Sequence, residues 1–284
     1  MMGTALPTAG SLAHVMRRST TFLGLFGVLA AAGTLTSCAT FNRNDTAAEV
    51  NGHTLSNQQL NTLVNHETDP TTIRKRLSSW IQIASAAENP TTVHSMDELA
   101  TLRDKVLADL IAKHGGAGQA QYEKAIDGTN YICLGAIPLA ADVKADDVIA
   151  QLKGGTAFAE LAKKYSTSTT LAASSGVIAD QNGADCFDPA TFESNFGGIL
   201  KALADAKAKV GFPVAIDSGD GTGAMVILYM RPFAELSLQD QATIESSTIG
   251  AALKDLYAKA VITVNSNIGV WDPATGSVLA PEAG

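Results

Sequence analysis

Cysteine is scarce in this chain of 284 residues, which has three, at positions 38, 133 and 186. No two of them have the C-x-x-C spacing of thiol redox enzymes. Basic residues are also few, since 20 Lys and Arg stand against 28 Asp and Glu and give a net charge of −8. Nucleic-acid binders carry a basic patch, and none is visible here, so we expect no nucleic-acid partner.

Histidine is almost as rare as cysteine, with five in the chain. Four of them, His53, His66, His94 and His114, lie between residues 49 and 128. No pair has a metal-ligand spacing with a carboxylate or cysteine partner, so surface or capping roles are favoured over metal binding. We therefore expect no metal and no cofactor.

Long hydrophobic runs are missing too, apart from one of about 14 residues between Phe22 and Leu35. That run is too short to span the roughly 30 Å hydrocarbon layer of a membrane, although a single transmembrane anchor is the alternative interpretation. Arg17 and Arg18 precede the run, and Leu35-Thr36-Ser37-Cys38 follows it directly. This arrangement resembles a bacterial lipobox, in which the cysteine is acylated and becomes the first mature residue. The resemblance implies a signal peptide over 1–37, a lipid on Cys38, a tether over 38–48 and a location on the extracytoplasmic face of the cell membrane.

Export also bears on the two remaining cysteines, because thiols outside the cytoplasm tend to form disulfides. If Cys38 is lipidated, Cys133 and Cys186 are the only two left. We predict that they form a disulfide, with a redox pair as the alternative.

The composition, 46% hydrophobic and 17% charged, is that of a globular protein large enough for two packed units. Residues 49–128 open with a Val-Asn-Gly turn at Val50, and Ser56 with Gln59 fits a capping box. Apolar residues at helical spacing follow, so we predict a small helical module with grooves that could hold apolar segments of unfolded proteins. The V-N-G-x-x-L-S opening resembles the start of the SurA/PrsA group of extracytoplasmic chaperones.

The stretch from Ile132 to Tyr165 contains a short apolar run, a helix-period segment from about Asp142 to Lys153, a Gly-Gly pair and a second helix capped by Thr156. This order resembles the parvulin prolyl-isomerase domain. The resemblance covers 129–233 and implies an α+β fold: a four-stranded antiparallel sheet with helices, inserted in the helical module.

Parvulins lower the barrier of about 18–20 kcal/mol to rotation about an X–Pro bond with an apolar proline pocket and two strand histidines. In this chain the first histidine would fall within Leu134–Ile137 and the second at Met225, and no histidine occurs between Asn130 and Phe233. The resemblance therefore implies a degenerate domain with no catalytic residue. Its remaining pocket would contain Met225, Phe187, Phe192 and Phe196, although plain core packing is the favoured role for these four.

Residues 234–284 are predicted to form a helix from Ser237 to about Ala260, a strand at Val261–Val264 and a tail. Gly269-Val270-Trp271-Asp272-Pro273 resembles the ending of SurA-like lipoproteins from actinobacteria. In that family the arm returns to the N-terminal module, which fits the inability of a lone helix and strand to bury an apolar face.

Three functions follow from these resemblances. The first is a membrane-anchored holdase that binds unfolded or secreted polypeptides. The second is an active peptidyl-prolyl isomerase, which the fold favours and the missing histidines oppose. The third is a scaffold lipoprotein for a single envelope partner.

Overall fold

The structure is a computed structural model and describes residues 45–88, 93–124, 126, 129–219 and 221–281. The predicted lipidation site Cys38 and the signal peptide lie outside these residues. The described chain forms two compact units. The terminal unit contains the described residues of 45–116 and 245–281, and the central unit those of 117–244.

Two distant parts of the sequence form one antiparallel sheet in the terminal unit. Strand β1 (Thr46–Val50) lies in the middle and pairs with β2 (His53–Ser56) on one side and β6 (Ile262–Val264) on the other. Its pairing with β6 brings Ala48 opposite Val264 and Val50 opposite Ile262. A separate hairpin of β7 and β8 follows. The strands of this unit are β1 (Thr46–Val50), β2 (His53–Ser56), β6 (Ile262–Val264), β7 (Val270–Asp272) and β8 (Ser277–Leu279).

Four helices pack with these strands, and their starts follow the capping rules. Ser56 accepts a hydrogen bond from the Gln59 amide while the Gln59 side chain accepts one from the Ser56 amide, which confirms the predicted capping box. Asp69 caps the next helix through the Thr72 amide at 2.8 Å. The helices are α1 (Asn57–Leu63), α2 (Pro70–Ala86), α3 (Met96–His114) and α11 (Ser246–Lys259).

The single helix predicted from Ser237 to Ala260 is wrong, because the chain forms two helices separated at Glu245. The side chain of Glu245 is fully buried. It accepts hydrogen bonds from the Gly116 amide at 2.7 Å and from the Thr248 hydroxyl at 3.0 Å. The glutamate therefore satisfies a backbone donor distant in sequence, and the helix is interrupted at that point.

The central unit contains a three-stranded antiparallel sheet in which the last strand along the chain, β5 (Met225–Met230), lies between β3 (Leu134–Pro138) and β4 (Pro213–Asp217). Its strands are β3 (Leu134–Pro138), β4 (Pro213–Asp217) and β5 (Met225–Met230). Its helices are α4 (Ala117–Tyr122), α5 (Ala145–Lys153), α6 (Phe158–Tyr165), α7 (Thr169–Ala173), α8 (Pro189–Phe196), α9 (Ile199–Asp205) and α10 (Leu238–Ile244).

The predicted fourth strand is reduced to isolated bridges on the free edge of β3. Val177 bridges Gly135, and Phe187 bridges Ile132. Between these two points the chain turns at Asp180, whose carboxylate accepts the Ala184 amide at 2.9 Å while its own amide bonds the Ala184 carbonyl. Because this turn uses the backbone groups that a strand would present to β3, the sheet has three strands among the described residues rather than four.

The turn between α5 and α6 follows the glycine prediction but not the capping prediction. Gly155 takes the left-handed conformation, with φ of +93°, just after the end of α5. The cap of α6 is Ala157, which makes no side-chain capping bond, so Thr156 is not the cap.

No helix among the described residues combines the length and the apolar character needed to cross a membrane.

Candidate functional site

The central sheet has two faces with different coverings, and the alternation of β5 decides which side chain lies on which face. Val226, Leu228 and Met230 pack with one apolar cluster, whereas Ile227 and Tyr229 pack with another. This separation is what a strand with a two-residue repeat produces. We call the two surfaces the phenylalanine face and the α6 face.

The phenylalanine face is named for three aromatic rings from the segment around α8. Phe187 and Phe192 are 5% and 0% exposed, and Phe196 is half-buried. The ring centroids of Phe192 and Phe196 are 5.0 Å apart, and those of Phe187 and Phe196 are 5.5 Å apart. Phe187 and Phe192 are therefore core residues, and Phe196 is the most exposed of the three.

The phenylalanine face is unevenly buried along the strands. Leu134 and Ala136 on β3, like Leu228 and Met230 on β5, are almost inaccessible to solvent. At the other end of the sheet and on its edge strand, the residues of this face are half-buried. We call the half-buried apolar residues of this cluster the apolar margin; from the sheet they are Val214, Ile216 and Val226, and from α8 and α9 they are Phe196, Ile199 and Leu200.

Met225 does not lie with the three phenylalanines. It packs against the cluster of the α6 face, which includes Ile137 and Phe158. The sequence interpretation that placed Met225 in one pocket with Phe187, Phe192 and Phe196 is corrected here, because Met225 is one residue away from Val226 on a strand whose side chains alternate. Val226 occupies the position on the phenylalanine face.

No ionisable side chain is contributed to the phenylalanine face by the three strands. The strand register places eight residues on it, all apolar: Leu134, Ala136, Pro138, Val214, Ile216, Val226, Leu228 and Met230. Proton transfer to or from a substrate needs a titratable group within hydrogen-bond reach. The strands of this face can supply apolar contact and shape, and no acid, base or nucleophile.

The two cysteines of the central unit form a disulfide, the pairing expected from the sequence. The Sγ atoms of Cys133 and Cys186 are 2.02 Å apart. Two backbone hydrogen bonds between Ile132 and Phe187, of 2.7 and 3.0 Å, lie directly beside the covalent bond. With both sulfurs in the disulfide, neither cysteine is available as a thiolate.

A buried polar cluster adjoins this disulfide. The guanidinium of Arg231, a residue 7% exposed, donates to Asp185 at 2.8 Å, and the Tyr122 hydroxyl donates to the Arg231 carbonyl. Burial raises the pKa of Tyr122. Burial, and after it the nearby Asp185 carboxylate, also raises the pKa of Asp240.

Asp185, Cys186 and Asp240 are close enough to hold a metal ion. The sulfur is oxidised and an arginine pairs with one of the carboxylates, so these residues do not suit a cation.

The α6 face carries an open cleft of about 480 Å³ near the start of β4. Three aromatic side chains, Phe158, Phe212 and Tyr229, are among its lining residues, together with Lys153 and Glu235. The rings of Phe158 and Tyr229 are stacked with centroids 4.8 Å apart. The Tyr229 hydroxyl donates to Glu235 at 3.0 Å, and burial, with the adjacent carboxylate, raises the pKa of Tyr229.

The terminal unit has a cavity of about 460 Å³ whose lining is polar: Ser56, Gln58, Gln59, Thr62 and His94. Such a lining does not match the apolar helical groove expected from the sequence. The large apolar residues of this unit that are exposed lie elsewhere, at Met96, Val261, Val270 and Leu279.

Sequence reasoning missed Val214, Ile216 and Val226, and it also missed the cleft residues Phe212 and Glu235. The run Met225–Met230 is apolar throughout, so its pattern could not show which residues faced which side. Phe212 directly precedes Pro213, and nothing in the sequence links it to Glu235.

No known protein family matches the chain, and no curated protein is similar to it. The solved structures to which it is similar include two PrsA proteins. The PrsA structure from Bacillus subtilis is 24% identical over 56% of each chain, with a TM-score of 0.27. The foldase protein PrsA from Streptococcus pneumoniae is 20% identical over 76% of this chain and 82% of its own, with a TM-score of 0.28. The alignment spans little more than half the length of the Bacillus protein, and TM-scores this low do not assign a fold or a function to this chain.

Proposed function

We propose that this protein is a lipid-anchored extracytoplasmic chaperone of the holdase kind, which binds unfolded or secreted polypeptides without isomerising them. The observation that carries the proposal is the composition of the phenylalanine face. Its strands present eight apolar side chains and no titratable group, and the apolar margin of the same cluster is half-buried. Such a surface can bind an apolar chain segment, and its strands offer no acid, base or nucleophile.

Anchoring depends on the lipobox-like sequence ending at Cys38. Covalent acyl chains, rather than charge, would hold the protein at the membrane, since a net charge of −8 does not favour binding to anionic lipids. Mass spectrometry of the membrane-extracted protein tests this directly. A diacylated cysteine at the N-terminus supports it, and an uncleaved N-terminus refutes it.

Holdase activity is tested with the full chain in nanodiscs and a chemically unfolded client whose aggregation is followed by light scattering. An equimolar amount of protein should slow aggregation. The paired substitution Ile216→Thr and Val226→Thr keeps β-branched side chains on the strands while adding hydroxyls to the apolar margin. It should raise the amount of protein needed for half suppression by about threefold or more, in line with the loss of buried apolar contact.

The matched control is the pair Val261→Thr and Val270→Thr, which also replaces two β-branched apolar side chains by threonine, at exposed positions of the terminal unit. It should leave suppression unchanged. Absence of any suppression of aggregation by the unmodified protein would refute the holdase proposal. An equal loss of suppression in both pairs would show that the apolar margin is not the client-binding surface.

The active isomerase and the single-partner scaffold are alternative outcomes of parallel measurements. Prolyl-peptide turnover that is lost in the Ile216→Thr and Val226→Thr protein would indicate an isomerase. Substitution of Met225 would not serve this purpose, because Met225 lies on the other face of the sheet. One dominant partner in cross-linking experiments on intact cells would indicate a scaffold, and a broad set of partners would indicate a chaperone.

A further inference from the structure

The cleft on the α6 face pairs aromatic walls with a carboxylate that has no cationic partner. Glu235 is exposed and accepts a hydrogen bond from Tyr229 through Oε1. Among the described residues it forms no ion pair with a lysine, arginine or histidine. Tyr229, which is 6% exposed, therefore orients this carboxylate. The negative charge of Glu235 is available to a cationic group of a bound ligand.

Phe212 is the second unusual feature of the cleft, because it is 61% exposed where large aromatic side chains are generally buried. It precedes Pro213, the first residue of β4, and lines the same cleft as the stacked pair of Phe158 and Tyr229. Aromatic faces beside a carboxylate form a favourable environment for a cation, since both the ring quadrupole and the negative charge attract it.

The cleft also lies beside an unpaired sheet edge. β4 pairs only with β5, and no other strand pairs with it among the described residues. The Ser218 amide bonds the Ala224 carbonyl, which fixes the alternation of the ladder. By that alternation, the backbone groups of Ala215 and Asp217 point away from β5. An extended polypeptide can add to such an edge through its main chain.

We propose that the cleft binds an arginine or lysine side chain of an extended polypeptide that lies along β4. Glu235 pairs with the cationic group, and Phe212 contacts the aliphatic stem. This inference rests on the proposed function and names the chemical class of client that the central unit prefers. The charge of that unit supports a basic client, since residues 117–244 contain 15 acidic and 9 basic side chains.

Lys153 lines the same cleft and would repel a cationic side chain. It is exposed and forms no ion pair among the described residues, and its long stem lets the ammonium group stay in solvent. The repulsion gives the proposal a second test, because the Lys153→Met substitution should strengthen binding of a basic peptide.

The experiment uses the full chain in nanodiscs and fluorescently labelled nonapeptides of alternating apolar and threonine residues. The peptides are identical except for arginine, norleucine or glutamate at the central position, and binding is followed by anisotropy at low and high salt. The arginine peptide should bind about three- to tenfold more tightly than the norleucine peptide, the range expected for a partly exposed ion pair with an aromatic contact. The difference should shrink at high salt.

Glu235→Gln should abolish this preference, because the amide keeps an acceptor for the Tyr229 hydroxyl and loses the charge. Phe212→Ala should weaken both peptides, and the arginine peptide more, because the ring contacts the aliphatic stem and also attracts the cation. The matched control is Asp217→Asn, which removes an exposed carboxylate at the far end of β4, four residues or about 13 Å beyond Pro213. It should leave the preference intact, and an equal effect of Asp217→Asn and Glu235→Gln would overturn the proposal in favour of general charge attraction.

The outcomes separate this inference from the proposed function. Suppression of aggregation without any preference for arginine over norleucine refutes the cleft proposal and leaves the holdase standing. A preference for arginine that depends on Glu235, in a protein that does not suppress aggregation, supports the cleft and refutes the holdase. Tighter binding of the glutamate peptide would assign the cleft to acidic side chains through Lys153 and would also overturn the proposal.

Discussion

Removal of the disulfide between Cys133 and Cys186 should destabilise the central unit selectively. The bond closes a segment with a sequence separation of 53 that contains β3 and helices α5 to α7. The perturbation is the double substitution Cys133→Ala and Cys186→Ala. Because the backbone of Ile132 and Phe187 is paired by two hydrogen bonds beside the disulfide, the variant should keep the native arrangement at lower stability.

The magnitude follows from the length of the closed loop. A loop of about 54 residues gives a chain-entropy contribution of about 4 kcal/mol at 25 °C. A domain of this size has a free energy of unfolding of about 5–15 kcal/mol. The disulfide therefore supplies a large share of the stability of the central unit, equivalent to about a thousandfold change in its unfolding equilibrium.

Hydrogen exchange measured by mass spectrometry can report the stability of the central unit separately from that of the terminal unit. The slowest amides of the central sheet, which exchange through complete unfolding, should exchange about a thousandfold faster in the variant. Both tryptophans, Trp80 and Trp271, lie in the terminal unit, so their fluorescence distinguishes a local loss from loss of the whole fold. A change of less than tenfold in the central sheet would refute the loop-closure reasoning.

Four further predictions concern packing, helix propensity, pH and a buried glutamate. Gly135→Ala places a Cβ 2.6 Å from the Phe158 ring and should cost about 1–3 kcal/mol in urea unfolding followed by circular dichroism. Gly250→Ala, in a helix with nothing within 4 Å, should instead stabilise by about 0.5–1 kcal/mol. The raised pKa of Asp240 means that its contribution to stability is present below about pH 4, the unfolded value, and is lost as pH rises through the folded value. Asp240→Asn should therefore gain stability relative to the unmodified protein between pH 4 and pH 7, and no such gain would contradict this assignment. Glu245→Ala leaves the donors that it now satisfies without that acceptor and should cost about 1–3 kcal/mol, measured by tryptophan fluorescence in urea.

Local features were predictable from the sequence where a single residue type, or a fixed spacing of residues, determines the backbone conformation. The Ser56–Gln59 capping box needs only a spacing, and the left-handed Gly155 needs only a residue without a side chain, so both were read correctly from the sequence. The interruption at Glu245 was not predictable, because it depends on a backbone amide at Gly116 that is far away in the chain.

The candidate site was predictable in chemistry and not in geometry. The absence of histidine between Asn130 and Phe233 is a fact of composition, and it holds wherever the strands lie. The face on which each residue of β5 lies depends on register, and a shift of one residue exchanges the two faces. In the apolar run from Met225 to Met230 no polar residue marks the register, so Met225 and Val226 could not be told apart from sequence alone.

The same register explains how one small sheet can offer two different binding surfaces. The odd-numbered residues of β5 lie on the α6 face, and among them Tyr229 orients Glu235 through its hydroxyl. The even-numbered residues, including Val226, lie on the phenylalanine face, where no strand residue carries a charge. An apolar client segment and a basic side chain would therefore meet opposite sides of β5. Substitutions at Val226 and Glu235 should accordingly act independently, with binding free energies that add to within about 0.5 kcal/mol.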